Sequence, residues 1–295
     1  MISIRTAVRT TYHDLAKKQI SAVSAGLSYR FLLSLFPMLI LAAAIVSCIP
    51  IPNLFDRIVN ALVVVVPEQE MGLVQSVLKD VMHARHGGLM TFGILGTLWS
   101  ASGGFLDLIR ALNVAYEVPE TRPGWKTRLL AIQLTFGTGL LLAVGAMAMF
   151  VGPQFGVWIA DRIGAGYVFA RVWPVLRWIL SVGFIMLAIE LIFFWAPNVK
   201  QRFLASMPGA VMSVIFWIAV SYALGLYFQN FAHFNKTYGT LGAVIALMVW
   251  LYWSWFVILL GADLNSQLLK ARGGQLSLKW PPPQITRSAG ARTDL

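Results

Sequence analysis

Five ionisable side chains stand where hydrocarbon is expected. Arg30, Asp107, Arg110, Glu190 and Asp263 each lie inside or at the edge of a long apolar run. A charge in hydrocarbon costs several kcal/mol unless it is paired, solvated or able to snorkel, so these residues bound the chemistry open to the chain. An arginine there attracts an anionic group; carboxylates counterbalance it or relay protons. In the first run, SAVSAGLSYRFLLSLFPMLILAAAIVSC (21–48), helical spacing places Gly26, Arg30, Ser34 (or Leu33) and Pro37 on one face. Pro37 frees the carbonyl of Leu33, four residues back. Asp107 and Arg110 share a face at a spacing of three. Arg30 sits about six residues into its span, roughly 9 Å below the inner boundary. Two readings stay open: a guanidinium snorkelling to the inner interface, and one facing an interior polar cavity. The depth of the other four charges favours the cavity. Two basic and three acidic groups in the inner halves of their spans would line a cytoplasm-open vestibule, with Arg30 paired to Asp107 or Glu190. Asp263 stands equally as an independent helix-end residue. Tyr29 beside Arg30, Asn198 in the turn WAPNVK (195–200), Tyr238 in FNKTYGTLG (234–242) and Asn265 complete the candidate vestibule set.

Patterns for catalysis are weak. Ser76 and Lys79 fit S-x-x-K, but its companion motifs are missing. His83 and His86 flank Arg85 with no cysteine or acidic cluster beside them, a poor metal site. There is no phosphate-binding P-loop and no G-x-S-x-G elbow. The reading is therefore a non-enzyme, with no catalytic residue, no metal and no cofactor.

The elements that must carry these residues are membrane helices. The 295 residues are 58% hydrophobic and 12% charged, with mean hydropathy +0.72; a soluble domain is about a quarter charged. Six stretches meet the roughly 20-residue length of a spanning helix: about 24–48, 88–112, 129–152, 175–196, 203–229 and 238–264. The expectation is an all-α integral membrane protein with six transmembrane helices. Residues 1–20 read as an interfacial amphipathic helix, 21–270 as the transmembrane domain, and 49–87 as a periplasmic helical loop lying on or dipping into the interface. Residues 271–295, with Gly-Gly, Pro-Pro-Pro and scattered arginines, read as a disordered basic tail. Arg30 aside, fifteen Lys and Arg fall on one side of this topology and seven on the other. The richer side is cytoplasmic, so both termini face inward. The net charge of +11 thus flanks spans, which argues against nucleic acid as a partner and for the lipid bilayer. Cys48 is the single cysteine, so there is no internal disulfide. Small residues at four-residue spacing (Gly93, Thr97, Ala101; Gly96, Ser100, Gly104; Thr135, Gly139, Ala143) suit packing within one bundle first and a homo-oligomer second.

Together these motifs resemble one family. Ala25-Gly-Leu-Ser-Tyr-Arg-Phe-Leu-Leu-Ser-Leu-Phe-Pro37 is similar to the first-span signature of the YihY/BrkB family of bacterial inner-membrane proteins. Pro197-Asn198 followed by Pro208-Gly-Ala210 resembles its span-four/five junction. Thr237-Tyr-Gly-Thr-Leu-Gly242, Trp250-Leu-Tyr252 and Gly261-Ala-Asp-Leu-Asn265 resemble its last span. Arg30 and Asp263 depart from the pattern, which has an uncharged residue at the first position and glutamate at the second. The resemblance covers about residues 15 to 270 and implies a six-helix inner-membrane protein. It carries only a loose function: members are described as transporters or envelope factors, are tied to serum resistance, and were once labelled ribonuclease BN. The expectation is a permease for small organic solutes or lipid-related molecules. A non-transporting, virulence-associated envelope scaffold is the alternative and a ribonuclease the remote one.

Overall fold

The computed structural model describes residues 18–47, 99–100, 102–150, 166–230, 240–271 and 277–280. Among these residues the secondary structure is helical apart from one isolated antiparallel bridge, Val199 with Leu278. Six helices follow in order: α1 Ile20–Ser47, α2 Gly103–Ala115, α3 Gly124–Phe150, α4 Gly166–Trp195, α5 Phe203–Asn230 and α6 Thr240–Ala271. Gly124–Met149, Arg171–Trp195, Phe203–Phe228 and Val244–Ala271 are each long and apolar enough to cross a membrane. α1, at 28 residues, is about 42 Å long. Among the described residues the architecture is thus a helical bundle with the length and apolarity of a membrane protein. Most of the expected 1–20 helix, the 49–87 loop and the first part of the 88–112 span lie outside the described residues.

Burial follows from the solvent. Mid-helix side chains such as Leu140, Ile179, Ile215 and Tyr222 are exposed, a liability in water that lipid tails remove. The tight core sits at one end of the bundle, where α1 starts, α2 ends, α3 starts, α4 ends, α5 starts and α6 ends. There Leu108, Ile109, Leu112, Tyr116, Phe193 and Leu259 are fully buried. We call this the polar end, because the hydrogen-bonded side chains gather there too.

Without water to drive helices together, close approach and hydrogen bonds do that work. The α5–α6 seam runs antiparallel through small and hydrogen-bonding residues. Gly209 lies against Gly261, where a Cβ added to Gly261 would stand 2.6 Å from the Gly209 carbonyl oxygen. Next along the seam, Ser213 Oγ donates to the Val257 carbonyl at 3.3 Å, Trp217 Nε1 to Ser254 Oγ at 3.0 Å and Trp250 Nε1 to Ser221 Oγ at 3.1 Å. α3 meets α4 where Ser181 Oγ donates to the Gly145 carbonyl at 2.9 Å. α1 meets α2 at Gly104, which faces Ser34 and Phe31, and α6 through Phe31 edge-on to Trp255. Of the expected small-residue ridges, Gly104 and Thr135 are buried, whereas Gly139 and Ala143 are exposed; Gly93, Gly96, Thr97 and Ala101 lie outside the described residues.

Candidate functional site

Three polar nodes fill the polar end, and a fourth cluster lies on its flank. The first node ties α1, α2 and α6. Lys18, just before α1 and almost wholly buried, forms an ion pair with the fully buried Asp263 of α6. Its ammonium also donates to the Ala115 carbonyl at 3.0 Å and pairs with Glu117 at 2.6 Å, and Lys270 reaches Glu117 at 2.8 Å. Burial alone would lower the Lys18 pKa, but the two carboxylates outweigh it and hold Lys18 above its ordinary 10.5. Hydrogen bonds from Lys18 and Lys270 hold Glu117 well down, at about 2. The backbone explains why Glu117 can sit there. α2 ends with Val118 N–H on the Asn113 carbonyl (2.9 Å) and Glu117 N–H on the Val114 carbonyl (3.0 Å). This is the paired pattern of a left-handed helix stop. Glu117 accordingly has φ 56°, a position where glycine is usual and another residue costs about 1 kcal/mol.

The second node is built on Asn198, in the turn after α4. Its N–H donates to Asn113 Oδ1 (2.8 Å) and its Nδ2 to Thr121 Oγ1 (2.8 Å), while its Oδ1 accepts Trp280 N–H (3.0 Å). Asn113 Nδ2 donates to Glu120 Oε2 at 2.7 Å. Arg122 binds Glu120 and the Ala196 carbonyl, both at 2.7 Å. Ser277–Trp280, four residues of the stretch expected to be a disordered tail, are thereby strapped across the polar end. Lys200 N–H donates to the Ser277 carbonyl (2.8 Å) and Lys279 N–H to that of Asn198 (3.2 Å). Lys279 Nζ caps the Phe194 carbonyl near the end of α4, and Lys126 lies 3.5 Å from the centre of the Trp280 ring. Burial, with Arg122 nearby, lowers Lys279 to about 8.

The third node lies inside, between α4, α5 and α6 and against the end of α2. Pro208 lacks an N–H and disturbs the first turns of α5; beside it Gly209 N–H donates to Asn265 Oδ1 at 2.8 Å. Asn265 Nδ2 donates to the Ser206 carbonyl at 2.7 Å, and Ser206 Oγ donates to Glu190 Oε1. Glu190 is 1% exposed, yet its Oε2 has no hydrogen-bond partner among the described residues. The same holds for the Tyr116 hydroxyl, which lies close to Gln201, Asn265 and Glu190. Burial pushes the Tyr116 phenol above its ordinary range. A buried phenol donor and a buried carboxylate acceptor, each without a hydrogen-bond partner among the described residues, thus lie near each other.

Arg30 belongs to none of these nodes. Its guanidinium donates to Asp107 Oδ1 at 2.8 Å, and Arg110 reaches the same oxygen at 3.2 Å. Arg30 is thus paired with Asp107 and not with Glu190, which is engaged by Ser206. Both arginine side chains are about 60% exposed, and Tyr29 beside them is exposed. Ser34 is buried and donates to the Phe31 carbonyl of its own helix at 2.9 Å. Pro37 falls within the continuous α1; its side chain and Tyr238 lie outside the described residues. The five charges singled out from the sequence are thus divided: Asp107 with Arg30 and Arg110, Asp263 with Lys18, and Glu190 apart.

Sequence reasoning missed Lys18, Glu117, Tyr116, Asn113, Ser206 and Trp280. Lys18 was legible only as basic flank of a span. Pro208-Gly209 was the one visible signal for the α5 site.

Comparisons with known proteins agree with this architecture. Residues 11–283 match the family described as Virulence factor BrkB. The chain is 36% identical over 264 residues to the ribonuclease-like protein YfkH of Bacillus subtilis, covering 90% of this chain and 94% of that one. It is 26% identical over 292 residues to a UPF0761 membrane protein of Stenotrophomonas maltophilia and 29% identical over 273 residues to one of Xanthomonas campestris. The chain spans only 63% and 60% of those two relatives' lengths. No solved structure matches. A polar end knotted by buried ion pairs beneath long apolar helices, matched over nearly the whole chain, makes this protein a member of the BrkB family of membrane proteins.

Proposed function

We propose that the chain is a permease of the bacterial inner membrane, with six spans and both termini in the cytoplasm, moving small organic solutes or lipid-related molecules. One observation carries the reading: Glu190 is buried in the bundle with one carboxylate oxygen unpartnered among the described residues, next to an unpartnered Tyr116 hydroxyl. A buried carboxylate lacking an adjacent cation costs several kcal/mol. Such a group inside a membrane bundle is by default part of an ion, proton or substrate path. Glu190 is the acceptor and Tyr116 the donor for a small polar guest or a relayed proton. Asn265 and Ser206 hold the carboxylate's other oxygen in place through the α5 backbone. The gathering of Lys18, Arg122, Lys126, Lys200, Arg202, Lys270 and Lys279 at the polar end supports its cytoplasmic assignment.

The test is solute-driven flux in proteoliposomes, followed with an internal pH dye across a panel of organic acids, amines, amino acids and nucleosides. Wild type gives flux with at least one solute. Glu190→Gln abolishes it and Tyr116→Phe reduces it, with helical circular dichroism unchanged. No flux with any solute, together with full complementation of a deletion strain by Glu190→Gln, sinks the permease reading.

The scaffold reading has its own support in the Ser277–Trp280 strap, which closes the polar end with backbone hydrogen bonds. The ribonuclease label belongs to the relative's name, and the family is one of membrane proteins. Among the described residues no three His, Cys, Asp or Glu come together as a metal site.

A further inference from the structure

We propose that the Arg30–Arg110–Arg128 cluster binds the phosphate of an anionic phospholipid at the edge of the bundle. This inference does not depend on transport. The three arginines come from α1, α2 and α3, and α2 packs against both of the others. One carboxylate faces them: Asp107 accepts from Arg30 at 2.8 Å and Arg110 at 3.2 Å, and its charge also acts on Arg128. Three cations against one anion leave a local excess of two positive charges. A guanidinium offers five N–H donors, and Asp107 takes one each from Arg30 and Arg110, whose side chains stay largely exposed. Arg128 is stacked 4.1 Å from the centre of the Trp99 ring, and its Nε is buried without a hydrogen-bond partner among the described residues. Planar donor forks left open on two of three adjoining helices suit the oxygens of a phosphodiester.

The surroundings select a lipid over a soluble phosphate. Tyr29, Leu33, Trp99, Val114, Trp125 and Leu129 are all large, apolar and exposed. A soluble anion leaves that surface bare, whereas acyl chains cover it. The depth fits as well. Counted from the helix ends at the polar end, Arg30 lies about 15 Å, Arg110 about 7.5 Å and Arg128 about 6 Å along the axis. All three are within one leaflet of a hydrocarbon core about 30 Å thick. Long arginine side chains at that depth snorkel toward headgroup level, and tryptophans are enriched there. Basic pockets between helices on the cytoplasmic side recognise anionic headgroups in this way. The carboxylate gives the site a built-in competitor: Asp107 holds the two guanidiniums until a headgroup takes over their free donors.

Native mass spectrometry of the purified full-length chain in neutral detergent tests this, with phosphatidylglycerol and phosphatidylcholine of identical chains supplied in equal amounts. The expected result is retention of phosphatidylglycerol over phosphatidylcholine by about 10-fold. Arg30→Gln with Arg110→Gln brings the ratio below about 2-fold. Lys200→Gln with Arg202→Gln, an equal loss of two charges at the same end but outside the cluster, leaves the ratio unchanged. Asp107→Asn raises it, an effect that loss of a merely structural contact does not produce. Equal retention of the two lipids by wild type overturns the proposal. So does a preference that survives the Arg30/Arg110 substitution, or an equal loss in Lys200→Gln with Arg202→Gln. Displacement of phosphatidylglycerol by excess inorganic phosphate overturns the assignment to a lipid.

Discussion

Lys18→Met is the sharpest test of how the polar end is held. Asp263 is fully buried and Lys18 nearly so, and the ammonium also binds the Ala115 carbonyl and Glu117. Methionine keeps the length and apolar stem but strips Asp263 of its ion-pair partner. Breaking a buried pair by removing one member costs about 3–5 kcal/mol, because the remaining charge stays desolvated. Glu117 is half-exposed and keeps Lys270 at 2.8 Å, so its share of the loss is below about 1 kcal/mol. Asp263→Asn leaves Lys18 with Glu117 and the Ala115 carbonyl and costs less, about 1–3 kcal/mol. In the double variant neither charge remains, so its loss falls short of the sum by at least about 1.5 kcal/mol. The measurement is reversible unfolding of the four proteins in mixed micelles, titrated with sodium dodecyl sulfate and followed by circular dichroism. Additivity within about 0.5 kcal/mol, or a Lys18→Met loss under about 1 kcal/mol, would refute the ion pair as the tie between α1 and α6.

Three further outcomes follow from the same geometry. Gly261→Ala drives a methyl into the Gly209 backbone and the Ser213 hydroxyl and should destabilise by about 1–3 kcal/mol; an unchanged thermal midpoint in detergent removes the α5–α6 seam as a close contact. Glu117 titrates at about 2 against an ordinary 4.5, so its stabilisation is present in full above about pH 4.5 and is lost as pH falls through about 2. Glu117→Gln should flatten that acid limb, while Glu117→Gly, which relieves the left-handed backbone, should be more stable than Glu117→Gln by about 1 kcal/mol at pH 7. Asn198→Ala removes the acceptor of Trp280 N–H and the donor to Thr121, so hydrogen exchange at Lys279 and Trp280 should accelerate at least about 10-fold; unchanged exchange there removes Asn198 as the anchor of the strap.

Apolar length was enough to find α1 and α3–α6, with ends off by as much as nine residues at the start of α4, because in lipid each helix satisfies its own backbone whatever its neighbours are. Pairings between helices carried no such local signal. Lys18 and Asp263 are 245 positions apart, and a lysine just before an apolar run reads as an ordinary basic flank. Glu117 gave no sign of a helix stop, since glycine is the residue that marks one. Trp280 sits among prolines and basic residues, a composition that argues for disorder until Asn198 supplies its backbone partners. Arg30 was the most conspicuous anomaly; the spacing that put it on one helix face carried no sign that its partner would be Asp107 of α2, 77 positions on.

Glu190 was one charge among five in the sequence, and of the five carboxylates among the described residues it is the one without an ion pair. Lys18, Asp263, Glu117, Lys270, Glu120, Arg122, Arg30, Arg110 and Asp107 each meet an opposite charge. Glu190 meets a serine hydroxyl and keeps an open oxygen. A bundle able to pair so many other charges had the means to pair this one, or to replace it with glutamine at no cost in packing. The bond Glu190 accepts from Ser206 ties α4 to α5, a tie that a glutamine oxygen would accept equally, and the open oxygen near the open Tyr116 hydroxyl adds nothing to it. In the function proposed above, that open pair takes a small polar guest or a relayed proton, and Glu190→Gln is the variant that tests it.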